Sequence, residues 1–548
     1  MLEIKCLEAE FNMKGIEIID LDAEFIINYP TNYIIYSTTT AYIGESVRVK
    51  KRLKEHLNNK ERKQLQKVII FGHQKFNQSA TNNIETNLIN YFIADKNYII
   101  QNMSKTKGNN VHEYYNRDEF DKKIFGEIWE KLRDLGVARD SIEVLENRDV
   151  FKLSPFKELS EEQLDLKYEI IKFCEENINI KGEHSVIFVE GEAGTGKSVL
   201  LSSTFNYLLN EAKNKMNNNL YLASNNYLLV NHSEMIKTYK EIAGSLSSFK
   251  KKNILKPTSF INGCLCDKIK NVDIVFLDEG HMGLSKPDSY NSFRLDNHIE
   301  EIIKRSSVTV VFYDPRQVLK LKSYWSDDMI RRVKIKYNAA SFKLTTQFRM
   351  QASKEFMKWI NGLVYGKIDA LPKNDIKYDF EVFDNAYDMH CKIVKKNKEC
   401  SGLCRVVSTF DYVHKKDGKK YYVEEPGFKL PWNSYYQNSW AENDDSINEV
   451  GSIYTVLGFD LNYVGVILGP SVQYDEKNCC LKIVPELYCD TEAFRSRGDI
   501  KDIYKAKTEI ILNSINVLVK RGVKGLYIYA SDEKLRKKLM EIQGNWKE

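Results

Sequence analysis

The sequence predicts an α/β architecture, in which a small mixed α/β domain precedes two lobes built on parallel sheets. With 548 residues, the chain is longer than one hydrophobic core usually organises. From Lys181 onward, short runs of β-branched and aromatic residues alternate with stretches of helical periodicity, which is typical of parallel strands covered on both faces. To about Lys107, short strands are mixed with basic helices, which indicates a separate N-terminal unit.

The composition indicates a soluble globular protein. Hydrophobic residues make up 43% of the chain and charged residues 29%, and the net charge is only +5, which argues against long disordered regions. The ten cysteines lack the paired two-residue spacing of a zinc site, so we expect reduced thiols. Residues 1–14 contain three glutamates where a secretory signal would be basic and then apolar, and no apolar run reaches membrane-spanning length. These features predict a cytoplasmic protein.

A hairpin followed by a basic helix is predicted near the N-terminus. In residues 33–44, β-rich stretches flank a Thr-rich turn, which favours two antiparallel strands. Residues 47–57 then have the pattern of a helix, on which Arg52 and His56 lie four residues apart and therefore share one face.

An amphipathic helix is predicted between this unit and the parallel-sheet lobes. The polar segment 104–110 indicates a linker. Apolar residues between positions 120 and 135 recur at helical spacing, and Gly136 occupies the position of a left-handed cap. We interpret residues 108–155 as a helical connector whose apolar face packs against another part of the chain.

Six short apolar runs predict strands of the parallel sheets. They span residues 186–189, 220–223, 272–277, 308–313, 464–468 and 526–529. In folds of this class, ligands bind outside the carboxyl ends of the strands, so we expect the chemistry of this part of the chain at those ends.

A phosphate-binding loop follows the first of these strands. The pattern G-x-x-x-x-G-K-[ST] is matched by Gly191, Glu192, Ala193, Gly194, Thr195, Gly196, Lys197 and Ser198. In this motif, glycines let backbone N–H groups surround the phosphates, the lysine reaches the outer phosphates and the hydroxyl binds Mg²⁺. The sequence therefore predicts a site for ATP and Mg²⁺.

Two adjacent carboxylates complete the predicted nucleotide site. Asp278 and Glu279 follow the apolar run that ends at Leu277. At a strand end beside a phosphate-binding loop, the first carboxylate is expected to hold the hydrated Mg²⁺ and the second to polarise the attacking water.

The order of these and later motifs resembles that of superfamily 1 helicases, whose fold is two RecA-like lobes with ATP in the cleft. The matching segments are residues 159–163, 278–281, 313–317, 344–349, 449–460 and 513–522. The resemblance implies that Gln163 reads the adenine and that Gln317 senses the terminal phosphate. It also implies that Arg349 and Arg521 reach this phosphate, for which the planar, always charged guanidinium is well suited.

Within this superfamily, the chain is similar to bacterial ATPases related to the Schlafen helicase domain, some of which are fused to a GIY-YIG nuclease. The resemblance covers about residues 155–540. It implies a first RecA-like lobe at 156–335 and a second at 336–548.

The chain departs from the family pattern at three positions. Tyr454 and Leu457 stand where the fifth motif usually has His and Gln, and Lys520 stands where Thr is common before the arginine of the sixth motif. These departures bear on nucleic-acid contact and coupling more than on ATP binding.

The N-terminal hairpin and helix resemble the GIY-YIG endonucleases. In that family, a tyrosine from each hairpin strand, an arginine ten residues after the second tyrosine and a later metal-binding glutamate surround the scissile phosphate. The resemblance implies a nuclease domain at 1–107, with Glu85 binding Mg²⁺. The catalytic residues that it implies are Tyr33, Tyr42, Arg52, His56 and Glu85.

The match to the first GIY-YIG motif is incomplete, because Pro30 and Thr31 precede Asn32 and Tyr33 where the family has Gly-Ile. We choose Tyr33 over Tyr36 because Tyr33 lies an odd number of residues before Tyr42. Side chains alternate across a strand, so only this parity keeps the matched residues on one face. The trailing asparagine of the family maps to Asn102.

The predicted helix and the segment after it are strongly basic. The cluster consists of Arg48, Lys50, Lys51, Arg52, Lys54, Lys60, Arg62 and Lys63. Binding of a phosphate backbone and simple solvation are equally good interpretations of such a run.

Together these features predict an ATP-dependent DNA helicase or translocase with a metal-dependent endonuclease, and by analogy a role in defence against foreign DNA. Two alternatives stay open. One is a nucleic-acid-binding ATP switch that gates cleavage without translocation, and the other is an RNA-directed enzyme, because no recognition module distinguishes the 2′-hydroxyl. A partner protein or a homo-oligomer is also compatible with the sequence.

Overall fold

The computed structural model describes residues 4–19, 24–102, 114–178, 180, 182–211, 225–246, 250–372, 378–400, 402–415, 417–434, 440–456, 459–495 and 497–547. The expected linker at 104–110, the expected strand at 220–223 and Leu457 lie outside the described residues.

Twenty strands are assigned in the described residues. In chain order they are β1 (Lys5–Glu10), β2 (Thr31–Tyr36), β3 (Thr40–Ser46), β4 (Lys67–Gly72), β5 (Ile99–Ile100), β6 (Ser185–Gly191), β7 (Tyr227–Val230), β8 (Ile254–Leu255), β9 (Ile274–Asp278), β10 (Val308–Tyr313), β11 (Asn338–Leu344), β12 (Asp379–Val382), β13 (Cys404–Ser408), β14 (Tyr422–Glu425), β15 (Phe428–Pro431), β16 (Val450–Gly451), β17 (Leu461–Leu468), β18 (Val472–Asp475), β19 (Cys480–Ile483) and β20 (Gly522–Ala530).

The same residues contain eighteen α-helices. They are α1 (Met13–Ile18), α2 (Val49–Leu57), α3 (Gln78–Asp95), α4 (Arg117–Glu119), α5 (Phe125–Asp134), α6 (Ile142–Asn147), α7 (Asp149–Lys152), α8 (Glu161–Asn177), α9 (Lys197–Glu211), α10 (Ser233–Ser245), α11 (Pro257–Leu265), α12 (His298–Ile303), α13 (Asp327–Lys336), α14 (Lys354–Val364), α15 (Ala386–Glu399), α16 (Ile453–Val456), α17 (Ile503–Val519) and α18 (Glu533–Lys547). None of the helices in the described ranges is long and apolar enough to cross a membrane.

The chain divides into two compact units. The first comprises residues 1–179, 198–228 and 235–255, and the second comprises 180–197, 229–234 and 256–548.

The first unit contains a five-stranded sheet in the order β1-β4-β2-β3-β5. Strands β2 and β3 form the predicted antiparallel hairpin, in which Tyr33 is paired with Gly44. Helix α2 begins at Val49, two residues later than predicted, and buries Val49 and Leu53 in the same core cluster as Tyr33. Helix α3 is capped by Asn77, whose side chain accepts a hydrogen bond from the Ala80 N–H.

The predicted amphipathic helix is present in this unit and starts with a π-helical turn at Phe120–Ile124 before α5. Gly136 adopts φ +68°, which confirms the left-handed cap. The apolar face packs on α3, because the ring of the fully buried Trp129 lies 5.1 Å from that of Phe92 and 5.4 Å from that of Tyr91 between centroids. The helix therefore serves packing, as its periodicity indicates.

The second unit contains four adjacent parallel strands in the order β11-β6-β10-β9. Every residue of β9 and β10 is buried, because helices and loops cover both faces of a parallel sheet. Since the strands are parallel, the loops after Gly191, Asp278 and Tyr313 leave the same edge of the sheet. The predicted strands at 186–189, 272–277 and 308–313 are thus confirmed.

Strand β11 lies beyond the boundary expected between the two lobes, which was placed between residues 335 and 336. It pairs in parallel with β6 along its whole length, from Asn338 opposite Ser185 to Leu344 opposite Gly191. The first sheet therefore extends to Leu344. The sequence of β11, NAASFKL, has few large apolar residues because an edge strand is less covered than a central one. The search for apolar runs therefore did not predict this strand.

A second parallel sheet in the same unit has the order β12-β20-β17-β13-β16. Two of its inner strands, β17 and β20, contain the predicted runs 464–468 and 526–529. Both strands begin earlier than predicted, at Leu461 and Gly522. The described residues therefore form a mixed α/β protein with two parallel sheets in its second unit.

Candidate functional sites

The phosphate-binding loop has the backbone geometry of an anion cradle. Gly194 and Gly196 adopt φ of +84° and +76°, in the region that glycine tolerates and other residues avoid. A Cβ on Gly191 would lie 2.6 Å from Oγ1 of Thr195, and a Cβ on Gly194 would lie 2.7 Å from Cβ of Arg349. The loop therefore requires glycine where a phosphate group would approach the backbone, and its shape fits a nucleotide.

Lys197 begins helix α9 and lies inside this cradle. Its side chain is buried, and Nζ donates to the carbonyl oxygens of Gly191 at 2.7 Å and Glu192 at 3.0 Å. Nζ also lies 4.0 Å from Oδ2 of Asp314. A buried ammonium that is held by loop carbonyls is positioned to exchange these contacts for phosphate oxygens. Ser198 is the next residue of the helix.

Asp278 and Glu279 lie where β9 ends at the same sheet edge. Asp278 is fully buried, and its Oδ1 accepts a hydrogen bond of 3.0 Å from the Glu279 N–H. Glu279 adopts φ +51° and ψ +47°, a left-handed conformation that costs about 1–3 kcal/mol for a residue other than glycine. The surrounding structure holds this strained backbone and thereby aims the Glu279 carboxylate.

His281 is a partner of Glu279 that the sequence reasoning did not assign. Its Nε2 lies 3.2 Å from Oε2 of Glu279, and its Nδ1 accepts a hydrogen bond of 3.2 Å from the Asp314 N–H. Because Nδ1 is an acceptor, the proton of the neutral ring lies on Nε2 and faces the carboxylate. Burial lowers the pKa of His281. Burial opposes ionisation of Glu279, but the neighbouring His281 and Lys197 outweigh it and hold the pKa of this carboxyl below its ordinary value.

Gln317 belongs to the same network through Asp314. Its Nε2 donates to Oδ2 of Asp314 at 2.7 Å, and both side chains are buried. Asp314 thus connects Gln317, Lys197 and His281. The sequence feature that could have identified this role is the position of Asp314 directly after β10. A movement of the Gln317 side chain would therefore affect the position of Asp314 and, through it, of Lys197 and His281 beside the proposed terminal phosphate.

Arg521 and Arg349 both lie at this site. Arg521 is 2% exposed, its Nη1 donates to the Phe459 carbonyl at 3.1 Å, and its charge contributes to the lowered pKa of Glu279. Arg349 lies against Gly194, and its Nε is 2.5 Å from Oδ1 of Asp460. The structure therefore brings both predicted arginines together with the cradle residues.

Two residues predicted to bind nucleotide have additional roles. Gln163 forms a capping box at the start of α8, in which its Oε1 accepts from the Ser160 N–H at 3.0 Å and its own N–H donates to Oγ of Ser160 at 3.3 Å. The side chain of Glu192 pairs with Arg316 and Lys520.

The N-terminal unit gathers the predicted tyrosines around His56. Tyr33 Oη lies 2.8 Å from Nε2 of His56, and the Tyr42 and His56 ring centroids are 4.8 Å apart. Tyr33 and Tyr42 share one face of the hairpin, with centroids 6.4 Å apart. Tyr36 instead donates a hydrogen bond to Glu8 on the other face. The parity argument for the placement of these tyrosines is confirmed.

Arg62 joins this cluster, although the sequence placed it only within a general basic surface. Its guanidinium carbon lies 3.8 Å from the Tyr42 ring centroid, and its Nη1 donates to Nδ1 of His56. Since arginine has no acceptor, Nδ1 must accept, and the proton of the neutral His56 ring then lies on Nε2 and faces Tyr33. This assignment makes His56 a hydrogen-bond donor to Tyr33.

The remaining predicted residues differ in exposure. The Arg52 side chain is 47% exposed and pairs with Glu55 at 2.8 Å. Glu85 is 4% exposed because α3 packs against the sheet. Burial raises the pKa of Tyr33. The negative charge of Glu85 raises this pKa further, whereas the Arg52 guanidinium lowers it. These three side chains therefore interact electrostatically at one site.

Asn102 has a structural role at the hairpin. Its Oδ1 accepts from the Ile43 N–H at 3.0 Å, and its Nδ2 donates to the Ile43 carbonyl at 2.7 Å. Within the described parts of the chain, no cluster of three or more His, Cys, Asp or Glu side chains has metal-binding geometry.

Substituting Gly44 with alanine tests the packing of this site. A Cβ at position 44 would lie 2.4 Å from Cζ and Oη of Tyr33, so the ring must shift. We expect the free energy of unfolding to fall by about 1–3 kcal/mol in urea titrations. Gly126→Ala is the matched control, because nothing lies within 4 Å of its Cβ and helix α5 favours alanine. Equal stability of both variants would contradict the close approach of Gly44 and Tyr33.

Known proteins share sequence and fold with this chain. The family model for the Schlafen group 3 DNA/RNA helicase domain matches residues 184–532, which is more than half of the chain. The uncharacterized protein YPL245W of Saccharomyces cerevisiae is 37% identical over an alignment of 412 residues, and the match covers 70% of this chain and 90% of that protein.

Two solved helicase structures match with low scores. A DEAD box protein from the hyperthermophile Methanococcus jannaschii has 15% identity and a TM-score of 0.26, and the match covers 71% of this chain and 95% of that one. The Hef helicase domain of Pyrococcus furiosus has 11% identity and a TM-score of 0.19, and the match covers 43% of this chain and 44% of that one.

Proposed function

Since the chain belongs to the Schlafen group 3 family of DNA/RNA helicase domains, we propose that it is an ATP hydrolase that moves along or opens nucleic acid. One observation carries the proposal. The cradle lysine and the carboxylate pair lie in one buried polar network at a single sheet edge, joined through Asp314 and His281. Arg521 acts electrostatically on Glu279, and Arg349 lies against Gly194 of the loop.

The chain's own residues supply the parts of the reaction. In the proposed step, a water attacks the terminal phosphorus of ATP, the bond from this phosphorus to the bridging oxygen breaks, and the water proton passes to Glu279. The lowered pKa of Glu279 keeps it ionised before the step, and Arg521 and Lys197 stabilise the charge on the phosphate oxygens. Mg²⁺ would neutralise phosphate charge when bound, and Ser198 and Asp278 are the residues that would hold it.

Translocation and an ATP-gated switch predict different responses to nucleic acid. A translocase hydrolyses more ATP per unit time on longer single strands, whereas a switch responds only to the presence of nucleic acid. ATP turnover is measured with DNA and RNA oligonucleotides of increasing length, with the ATP concentration and the total concentration of oligonucleotide residues held constant. The length dependence distinguishes a translocase from a switch. Absence of ATP turnover with every nucleic acid would contradict the proposed hydrolase itself.

We propose a second activity, metal-dependent cleavage of a phosphodiester, for the N-terminal unit. The supporting observation is the buried Tyr33, His56 and Tyr42 cluster beside the exposed Arg52 on a basic helix. Burial raises the pKa of Tyr33 and opposes its ionisation, so Tyr42 or His56 is proposed as the group that handles the proton of the attacking water. Glu85 would hold the Mg²⁺. Labelled single- and double-stranded DNA and RNA, with and without Mg²⁺ and ATP, are the substrates that test it.

Replacing Arg52 with alanine is expected to lower the cleavage rate by roughly 10²- to 10³-fold, because it removes the cation that would stabilise the phosphorane oxygens. The fold should persist, since an exposed pair such as Arg52 and Glu55 contributes only about 0–1 kcal/mol. Lys51→Ala on the same helix is the matched control, because it removes one exposed positive charge without touching the cluster. Equal losses in both variants would indicate general attraction of the backbone and contradict a catalytic Arg52.

A further inference from the structure

The carboxylate of Glu192 is held by two cations from distant parts of the chain. Its Oε1 accepts from Nη1 of Arg316, and its Oε2 accepts from Nζ of Lys520 at 3.0 Å. Glu192 lies in the phosphate-binding loop and Arg316 follows β10, whereas Lys520 caps the end of helix α17 in the second sheet's lobe. This contact therefore joins the two RecA-like lobes within one compact unit.

Lys520 makes this contact from a buried position. Its relative exposure is 0%, and burial lowers its pKa. Burying an ammonium group is costly unless a carboxylate faces it, so the position of Lys520 depends on Glu192. Burial also opposes the ionisation of Glu192, but Lys520 and Arg316 outweigh it and lower the pKa of this carboxyl.

The residue after Lys520 is the proposed arginine finger. Adjacent Cα atoms are only about 3.8 Å apart, so fixing the Lys520 side chain limits where the Arg521 backbone can lie. Lys520 pairs with Glu192 of the loop, and Arg521 is buried beside it with Nη1 donating to the Phe459 carbonyl at 3.1 Å. The threonine that is common at position 520 in related ATPases would be too short to reach Glu192.

We infer that the Glu192–Lys520 ion pair positions Arg521 over the phosphate-binding loop for ATP hydrolysis, an inference that rests on the proposed hydrolase. Lys520 is a positioning residue in this scheme. It holds the second lobe against the loop, and of these two neighbouring residues only Arg521 acts on the phosphate.

The test compares kcat, KM and the affinity for a fluorescent non-hydrolysable ATP analogue in wild type and Lys520→Met. Methionine removes the buried charge without leaving a large cavity, while Glu192 keeps Arg316 and is partly exposed to solvent. We expect kcat to fall by roughly 10- to 100-fold, as for a misplaced catalytic group, with analogue affinity changed less than about threefold. The control Lys343→Met breaks an exposed pair with Glu190 in the same unit and should leave kcat unchanged.

A double-mutant cycle completes the test. Glu192→Gln leaves Lys520 buried without a carboxylate partner and is expected to unfold at a lower temperature, which Lys520→Met should restore in the double variant. The kcat of the double variant should equal that of Lys520→Met alone. A kcat within twofold of wild type in Lys520→Met, or independent effects of the two substitutions, would overturn the inference.

Failure of the proposed hydrolase has a separate signature. A wild-type protein without ATP turnover would refute the hydrolase before any variant is compared. The restored unfolding temperature of the double variant, measured without nucleotide, would still report whether the pair joins the lobes.

Discussion

Replacing Arg521 with alanine is expected to lower the kcat for ATP by roughly 10³- to 10⁵-fold, the range of an arginine finger in phosphoryl transfer. Arg521 is buried at the site where its charge acts on Glu279, so its guanidinium is already near the position where negative charge develops. The cation interacts more weakly with the ground-state nucleotide than with the transition state, because the transition state carries more negative charge near Arg521. Binding of a non-hydrolysable analogue should therefore change far less than kcat.

Two further variants define the meaning of this result. Arg521→Lys keeps the charge but loses the planar fork, so it should recover only a small part of the lost rate. Arg495→Ala is the control for removing an arginine from the same lobe, because that side chain is exposed and pairs with the nearby Glu492. Since Arg521 donates to the Phe459 carbonyl, circular dichroism must show that the alanine variant remains folded. A kcat that falls in proportion to analogue affinity would contradict a transition-state role.

Glu279→Gln is expected to bind nucleotide and to lower kcat by roughly 10²- to 10⁴-fold, the range for loss of a general base. Glutamine has the shape of glutamate and can still face His281, but its amide cannot accept the water proton at neutral pH. The measurement is a single-turnover assay with radiolabelled ATP, together with analogue binding. Wild-type turnover in this variant would exclude Glu279 from proton transfer.

Lys197→Ala provides the contrast to Glu279→Gln. It removes the ammonium group that lies within the loop, so analogue binding itself should weaken. If both variants lost binding equally, the carboxylate would have a structural role in the loop. If neither lost turnover, the nucleotide site would lie elsewhere.

Local sequence patterns determined the elements that carry both candidate sites. The apolar runs before Gly191 and Asp278 identified their strands, because a strand buried on both faces must be almost wholly apolar. The spacing of Tyr33 and Tyr42 placed both on one face, since strand side chains alternate with a period of two. These inferences depend only on residues close together along the chain.

Tertiary structure decided which side chains meet. Glu192 pairs with Lys520 across a sequence separation of 328 residues, and Arg62 lies on Tyr42 only because α2 and the turn after it fold back over the hairpin. The burial of Glu85 follows from the packing of a whole helix, and the placement of β11 follows from pairing with β6. Such contacts depend on how distant elements pack, for which no local period in the sequence carries a signal. Motif order therefore predicts the residues of the proposed nucleotide site, whereas the ion pairs and hydrogen bonds that orient them were visible only in the folded chain.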